Sequence, residues 1–268
     1  MSTSLSSQPA STIVSTLRAA GCVFAEDEAQ LLVATARTPG ELTAMLERRV
    51  AGEPLEHVLG WAEFCGLRIA VEPGVFVPRR RSELLVEQAV PLAGPGSVVV
   101  DLCCGSGAVG TAVATFVPGV ELHAADIDPS AVRCALGNVA AAGGRAYEGD
   151  LYGPLPTALR GRVDVLVVNA PYVPTAAIST MPPEARDHEP RVALDGGADG
   201  LDIHRRVAAG AREWLVPGGH LLIETSEHQA ERTAEIVAAG GLVPGTVRSD
   251  ELDATVVIGK RRSRAPVR

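Results

Sequence analysis

Hydrophobic residues recur at helical spacing near the start of the chain and fall into short runs later. From Ile13 to Val50 apolar positions lie three or four residues apart, which predicts a small helical unit. Residues 55–78 show a partly alternating apolar pattern with turn residues inside it, which predicts a hairpin-like connector. We therefore expect a helical domain at residues 1–54, a connector at 55–78 and a main domain at 79–268.

Within the main domain, short apolar runs alternate with amphipathic helical patterns. Strands are predicted at residues 97–102, 121–125, 163–168, 220–224, 242–248 and 254–259. This alternation predicts an α/β fold with a mostly parallel sheet and helices on both faces. The last two strands would complete the sheet as a terminal hairpin.

Composition and charge narrow the range of functions. Hydrophobic residues make up 46% of the chain and charged residues 21%, which is typical of a folded globular protein. Acidic residues outnumber basic ones 32 to 24, so the formal net charge is −8. This charge repels a phosphate backbone and disfavours a nucleic-acid partner.

Neither a metal site nor a membrane segment is predicted. The five cysteines form no C-x-x-C pair, and the adjacent Cys103 and Cys104 lack suitably spaced histidines, so we expect free thiols and no metal. Residues 1–12 lack the basic start and apolar run of a signal peptide, and no later segment has enough uninterrupted apolar residues to span a bilayer. We therefore expect a cytoplasmic protein.

A glycine-containing loop follows the first strand of the main domain. The strand ends at Asp101-Leu102, and the candidate ligand contacts are Asp101, Cys103, Cys104, Gly105, Ser106 and Gly107. Glycines let a backbone pass close to a ligand, and strand ends are where open α/β sheets bind ligands. Asp126 ends the next strand and can accept both hydroxyls of a ribose. The alternative is that the glycines only form a turn and Asp126 only caps a helix.

A third segment helps to distinguish a dinucleotide ligand from S-adenosyl-L-methionine. Gly105, Gly107 and Gly110 fit the G-x-G-x-x-G spacing of dinucleotide-binding proteins. Further along, the Asp150 side chain could receive an adenine amino group while Leu151 packs on the ring. S-adenosyl-L-methionine has no pyrophosphate and needs such contacts instead, so it is the cofactor that we predict.

The sequence Asn169-Ala170-Pro171-Tyr172 ends a buried strand and predicts methylation of a planar nitrogen. An amide nitrogen is a poor nucleophile because its lone pair is delocalised, so its N–H groups must be held by fixed acceptors. Asn169 can supply a side-chain oxygen and Ala170 a backbone carbonyl. Pro171 stiffens the turn, and Tyr172 offers a ring face for a flat group. A strand-ending turn without chemistry is the alternative.

At this point the chain resembles the HemK/PrmC family of protein-(glutamine-N5) methyltransferases over residues 28–261. The matching segments are Gly52-Glu53-Pro54, Leu59-Gly60, Phe64, Gly66, Val77-Pro78-Arg79, residues 82–87, residues 189–197, Asp199-Gly200-Leu201 and residues 215–219. The resemblance implies a class I, Rossmann-like methyltransferase fold and a helical N-terminal domain that recognises the substrate protein. That substrate would be a peptide-chain release factor, methylated on the glutamine of its Gly-Gly-Gln motif.

The resemblance also implies roles for individual residues. Residues 103–107, Asp126, Leu151 and Asn169 would contact the cofactor, and residues 169–172 would contact the glutamine. The chain departs from the family pattern at Ala170, which replaces a proline but keeps the carbonyl acceptor. It also departs at Cys103, which replaces the first glycine of the loop, and in its N-terminal unit, which is shorter than in the family.

A further departure concerns substrate choice. Arg80 and Arg81 replace a proline and an acid of the family pattern, and we predict that Arg79, Arg80 and Arg81 bind the substrate at the mouth of the site. Arginines could instead hold a nucleic-acid phosphate, so methylation of an exocyclic amine on a base is one alternative. A catalytically silent cofactor-binding protein is the other.

Overall fold

The computed structural model describes residues 10–263, in which an N-terminal run of helices is followed by strands with helices between most of them. The first part contains α1 (Ala10–Ala19), α2 (Ala25–Thr35), α3 (Pro39–Val50), α4 (Leu55–Leu59), β1 (Trp61–Phe64), β2 (Leu67–Ala70) and α5 (Glu83–Ala89). The middle contains β3 (Val98–Leu102), α6 (Ala108–Phe116), β4 (Glu121–Asp126), α7 (Pro129–Ala141), β5 (Arg145–Glu148) and β6 (Val163–Val168). The last part contains α8 (Pro183–His188), α9 (Asp202–Trp214), β7 (Leu215–Thr225), α10 (Ala230–Ala239), β8 (Val243–Ser249) and β9 (Ala254–Lys260).

Seven strands form one sheet in the order β5-β4-β3-β6-β7-β9-β8. The first five run parallel, and β9 pairs antiparallel with both β7 and β8. The chain builds outward from β3 to β5, then returns to place β6 on the other side of β3. Ligands bind at such a switch point, beyond the carboxyl ends of the central strands.

Both faces of this sheet are covered by helices. All five residues of β3 are buried, as expected for a strand with helices on each side. Val99 packs with α5, α6 and α7, whereas Val100 packs on the opposite face with residues of α9 and α10. The prediction of an α/β fold with a mostly parallel sheet is confirmed.

The helical unit extends further than the sequence pattern indicated. Val58 and Leu59 of α4 belong to the same apolar core as Ile13 and Leu32. The start of the predicted 55–78 connector is therefore a helix packed on the N-terminal unit, because its two apolar side chains are buried there. Only β1 and β2, at residues 61–70, form the hairpin.

One strand was missing from the prediction. β5 lies at the edge of the sheet, and its side chains are only partly buried. Its sequence therefore has no apolar run, so the periodicity does not reveal it. No helix within residues 10–263 is long and apolar enough to cross a membrane.

Candidate active site

A cavity of about 510 Å³ opens beyond the carboxyl ends of β3, β4 and β6. Its lining combines carboxylates, loop residues and apolar side chains. The predicted site residues among them are Arg79, Arg81, Asp101, Cys103, Cys104, Gly105, Ser106, Asp126, Asp150, Leu151, Asn169, Ala170, Pro171 and Tyr172. The structure thus brings together segments that lie far apart in the chain.

The loop between β3 and α6 has an unusual backbone. Cys103, Gly105 and Gly107 have φ angles of 56°, 54° and 75°, in the left-handed region. Gly107 does not line the cavity but ends the loop, where a β-carbon would lie 2.8 Å from Val139 Cγ2. Glycine is needed there because the loop packs directly on α7. Cys103 pays a conformational cost at a position where glycine would be unstrained.

Two aspartates accept hydrogen bonds from backbone N–H groups of this loop and of the start of α6. Asp101 is buried, and its Oδ2 accepts the Gly110 N–H at 2.8 Å, which fixes the start of α6. Burial raises the pKa of Asp101 to about 7, and the Asp126 carboxylate adds to this rise. Asp126 accepts the Gly105 N–H at 2.9 Å and the Asp128 N–H at 2.9 Å.

Asp126 keeps acceptor capacity for a ligand. Each of its carboxylate oxygens accepts one backbone N–H, and a carboxylate offers about four lone-pair positions in all. Burial raises the pKa of Asp126, while these backbone hydrogen bonds lower it. The side chain lies at the cavity wall.

Asp150 and Leu151 lie on the same wall. Leu151 has a left-handed φ of 48°, and both residues line the cavity. The Asp150 carboxylate also forms an ion pair with Arg206, with 2.5 Å between Oδ2 and Nη2. Sequence reasoning did not identify Arg206, whose side chain projects from α9 to the cavity edge.

The Asn169-Ala170-Pro171-Tyr172 segment forms the other half of the cavity. Asn169 donates from Nδ2 to Ser82 Oγ at 3.1 Å, and the Tyr172 hydroxyl donates to Glu224 Oε1 at 3.2 Å. Neither Asn169 Oδ1 nor the Ala170 carbonyl accepts a hydrogen bond from the described residues. Burial and the nearby Glu224 carboxyl raise the pKa of Tyr172, so its hydroxyl stays a donor.

The side chains of the three consecutive arginines have different surroundings. Arg79 lines the cavity but is tied to the buried Glu189, with 2.5 Å between Nη2 and Oε1. Arg80 does not line the cavity; it reaches Glu251 at 3.3 Å on the exposed surface. Arg81 lines the cavity together with Tyr172 and Glu224. Burial raises the pKa of both groups, and the positive charge of Arg81 offsets part of that rise. The predicted grouping of all three at the mouth therefore does not hold for Arg80, because neighbouring positions of this turn face different directions.

Sequence reasoning missed Glu224 and Ser82 as parts of the site. Glu224 is the last residue of the strand predicted at 220–224 and the second-to-last residue of β7, so an acid near a strand end was the available signal. Ser82 belongs to one of the segments that match the family. The sequence did not indicate its hydrogen bond with Asn169, because the two residues lie 87 positions apart.

Comparison with known proteins places the chain among methyltransferases. The Methyltransferase small domain family matches residues 66–182, which include the loop after β3 and the Asn-Ala-Pro-Tyr segment. The release factor glutamine methyltransferase of Geobacter sulfurreducens is 38% identical over 228 residues, covering 83% of this chain and 79% of that protein. The chain belongs to the release factor glutamine methyltransferase family. The family member of Rhodospirillum rubrum is 35% identical over 255 residues, covering 92% of this chain and 78% of that protein.

Solved structures agree on the fold. A methyltransferase from Pyrococcus furiosus superimposes with a TM-score of 0.56 at 17% identity, covering 74% of this chain and 90% of that one. A 16S rRNA methyltransferase from T. thermophilus, in complex with AdoMet and guanosine, gives a TM-score of 0.54 at 21% identity, covering 75% of this chain and 50% of that one. The predictions of the family, the class I methyltransferase fold and the enzyme class are confirmed.

Proposed function

We propose that this protein transfers the methyl group of S-adenosyl-L-methionine to the side-chain amide nitrogen of a protein glutamine, in the Gly-Gly-Gln motif of a peptide-chain release factor. The observation that carries the proposal is the hydrogen bond from Asn169 Nδ2 to Ser82. It leaves the Asn169 side-chain oxygen and the Ala170 carbonyl as two acceptors next to each other in the chain. A primary amide has two N–H donors, which these two acceptors match.

The residues of the cavity fit the cofactor. S-adenosyl-L-methionine supplies an electrophilic methyl group on a positively charged sulfur when bound. Carboxylates of Asp101, Asp126, Asp150 and Glu224 line the cavity, and an acidic wall favours a cation. Asp126 would hold the ribose hydroxyls with its remaining lone pairs, and Leu151 would pack against the base. Asp150 would keep an acceptor for the adenine amino group, because Arg206 engages its Oδ2.

The residues around Asn169 would hold the substrate amide so that its nitrogen can leave the planar, resonance-stabilised geometry. Asn169 Oδ1 and the Ala170 carbonyl would each accept one N–H, which favours a lone pair directed out of the amide plane. The Tyr172 ring would contact the flat face while its hydroxyl remains bound to Glu224. Ala170 is buried and lies two residues beyond the end of β6, at the cavity wall.

The arginine geometry favours a protein substrate over a nucleic-acid base. Arg79 and Arg80 both form ion pairs with carboxylates, and Arg81 faces Glu224. A phosphate site usually offers charged donors that are not already neutralised. The net charge of −8 adds to the repulsion of a polyanion. Asn169 and Tyr172 keep their chemistry, so no observation favours a catalytically silent protein.

Mass spectrometry of a release factor tests the proposal. The protein is incubated with a Gly-Gly-Gln-containing release factor and S-adenosyl-L-methionine that carries a deuterated methyl group. We expect one labelled methyl on the motif glutamine, and at least about a hundredfold slower transfer by Asn169→Ala, the scale for losing one fixed polar group. Ala170→Pro is the matched control, because it keeps the carbonyl and should stay near wild-type rates.

Total RNA and DNA provide the opposing arm of this experiment. Label that enters nucleic acid and never the release factor would contradict the glutamine proposal and favour the exocyclic amine. Transfer to a different protein glutamine would keep the chemistry and reject the release factor as substrate.

A further inference from the structure

Gln229 contacts the backbone of the Asn-Ala-Pro-Tyr segment without lining the cavity. It ends the short 3₁₀ helix Glu227–Gln229 that follows β7, and it is partly buried. Its Nε2 donates to the Tyr172 carbonyl at 3.0 Å and to the Asp199 carbonyl at 3.1 Å. One side-chain amide therefore joins the segment to the loop at residues 195–201.

The two carbonyls depend on this amide. In the described part of the chain, neither the Tyr172 carbonyl nor the Asp199 carbonyl accepts a hydrogen bond from a backbone N–H. The next residue is paired by its own backbone, since the Val173 N–H donates to the Leu194 carbonyl at 3.1 Å. Backbone pairing thus stops one residue short of the tyrosine, and Gln229 extends the connection to Tyr172 itself.

The orientation of the Gln229 amide follows from its surroundings. Both groups near Nε2 are carbonyl oxygens, which can only accept hydrogen bonds, so the NH₂ group must face them. On the other side, the Ser226 hydroxyl donates to Gln229 Oε1 at 2.6 Å. Both polar atoms of the side chain are therefore engaged, and none of these hydrogen bonds depends on the charge of an ionisable group.

Close packing restricts Tyr172 from the same side. Gly200 has a φ of 78°, and an added β-carbon would clash with the Tyr172 carbonyl oxygen and lie 2.6 Å from Gln229 Nε2. A β-carbon at Gly196 would lie 2.8 Å from the Pro171 carbonyl oxygen. Movement of Tyr172 toward the loop is therefore blocked by backbone atoms, and movement away from the loop breaks the hydrogen bond with Gln229.

Tyr172 is consequently held at both of its ends by one part of the chain. Its hydroxyl is hydrogen-bonded to Glu224 Oε1 at 3.2 Å, and its carbonyl is bonded to Gln229, five residues later. A tyrosine held only at the hydroxyl could still rotate about that point. Two hydrogen bonds at opposite ends of the residue fix both the place and the tilt of its ring.

We propose that Gln229 is a positioning residue: by holding the Tyr172 carbonyl, it sets the place of the ring that lines the cavity. The catalytic value of this placement rests on the proposed function, in which the ring contacts the flat face of the glutamine amide. A small displacement of a group that orients the reacting atoms can lower the rate strongly, because the reaction requires a narrow range of geometries.

Gln229→Met is the informative variant, because methionine is similar in size and has no N–H donor. We expect kcat on the release factor to fall at least about tenfold. The KM should change less than kcat, because a protein substrate has many contacts besides its amide. The calorimetric Kd for S-adenosyl-L-methionine should stay within about twofold, since the hydrogen bonds of Gln229 are made to Tyr172 and Asp199 and not to the cofactor loop.

Two control variants isolate the donors. Gln88→Met is the same change at a partly buried glutamine of α5 that does not line the cavity or bond to the segment, and kcat should stay within about twofold. Ser226→Ala removes the hydrogen bond to Gln229 Oε1 but keeps both N–H donors, so its loss in kcat should stay within about threefold. Equal losses for Ser226→Ala and Gln229→Met would overturn the proposal.

Gln229→Asn keeps the amide but withdraws it by one methylene group, and it replaces Gln229→Met if that variant does not fold. The shorter side chain cannot reach both carbonyls from the same backbone position, so we expect a loss in kcat of the same order, about tenfold. Wild-type kcat in a folded Gln229→Met or Gln229→Asn protein would overturn the proposal.

Fluorine NMR detects the environment of the tyrosine ring independently of activity. The sequence contains three tyrosines, so 3-fluorotyrosine labels three rings, and Tyr172→Phe assigns the signal of Tyr172. Tyr147 and Tyr152 each stack on another ring and serve as internal references. We expect Gln229→Met to shift the Tyr172 signal and to leave the other two in place, whereas Gln88→Met should leave all three unchanged.

The two measurements separate this inference from the proposed function. A wild-type protein that never methylates glutamine, while its Tyr172 signal responds to Gln229→Met, would reject the proposed function and support the positioning role. A Tyr172 signal that does not respond to Gln229→Met would overturn the inference, whatever the enzyme methylates.

Discussion

Gly107→Ala should destabilise the methyltransferase fold by about 2–4 kcal/mol, through two separate costs. Gly107 has a φ of 75°, and forcing alanine into the left-handed region costs about 1 kcal/mol. The added β-carbon would also lie 2.8 Å from Val139 Cγ2 and 3.3 Å from Ala135 Cβ. Overpacking of this kind costs about 1–3 kcal/mol, since α7 must move or Val139 must leave its rotamer.

Gly105→Ala is the matched control for the first of these costs. Gly105 has a similar φ of 54°, but its added β-carbon would meet nothing closer than Phe76 Cβ at 3.9 Å. Its loss of stability should therefore stay near about 1 kcal/mol. Equilibrium urea unfolding measures both variants, and the difference between them is the cost of the contact with α7.

Val139→Ala tests the same contact from the other side. The free energy lost to Gly107→Ala should fall by about 1–3 kcal/mol when Val139 is already alanine, because the clashing methyl group is gone. Equal losses for Gly105→Ala and Gly107→Ala, or no coupling with Val139→Ala, would refute the steric account. The contact between the Gly107 position and Val139 would then make no measurable contribution to the loss of stability.

Two further predictions concern the ligands. Asp126→Asn should raise the Kd for S-adenosyl-L-methionine by about 10–100-fold in calorimetry, because a hydrogen bond to a charged group is worth about 1.5–3 kcal/mol; an unchanged Kd would remove Asp126 from the cofactor site. Arg81→Ala should lower kcat/KM for the protein substrate at least about fivefold, whereas Arg80→Ala should stay within about twofold, since one arginine faces the cavity and the other pairs with exposed Glu251. Equal effects of the two substitutions in steady-state kinetics would contradict this division.

Local sequence patterns were sufficient for most of the sheet. The predicted strand at residues 163–168 coincides with β6, and those at 97–102 and 121–125 lie within one residue of β3 and β4. These strands are buried on both faces, so their apolar runs are continuous and easy to recognise. β5 escaped because an edge strand with partly exposed side chains needs no such run.

The candidate cofactor loop could also be read from the sequence. Asp101, the residues of the loop and Asp126 all follow or end predicted strands, and parallel strands bring their carboxyl ends to one edge of the sheet. Their convergence on one cavity therefore follows from topology. The role of each residue in the loop does not follow from topology. For example, only the folded chain shows that Asp101 accepts a hydrogen bond from the Gly110 N–H of α6.

The sequence by itself determined the fold class, the polar residues that follow the predicted strands, and the Asn-Ala-Pro-Tyr segment. These features depend on residues a few positions apart. Only the tertiary structure decided which of the three arginines line the cavity, and which side chains hydrogen-bond to the segment. Ser82 lies 87 positions from Asn169, and Glu224 lies 52 positions from Tyr172. Such pairs are set by the crossover that places β6 between β3 and β7, and no local pattern records the direction of a side chain across that distance.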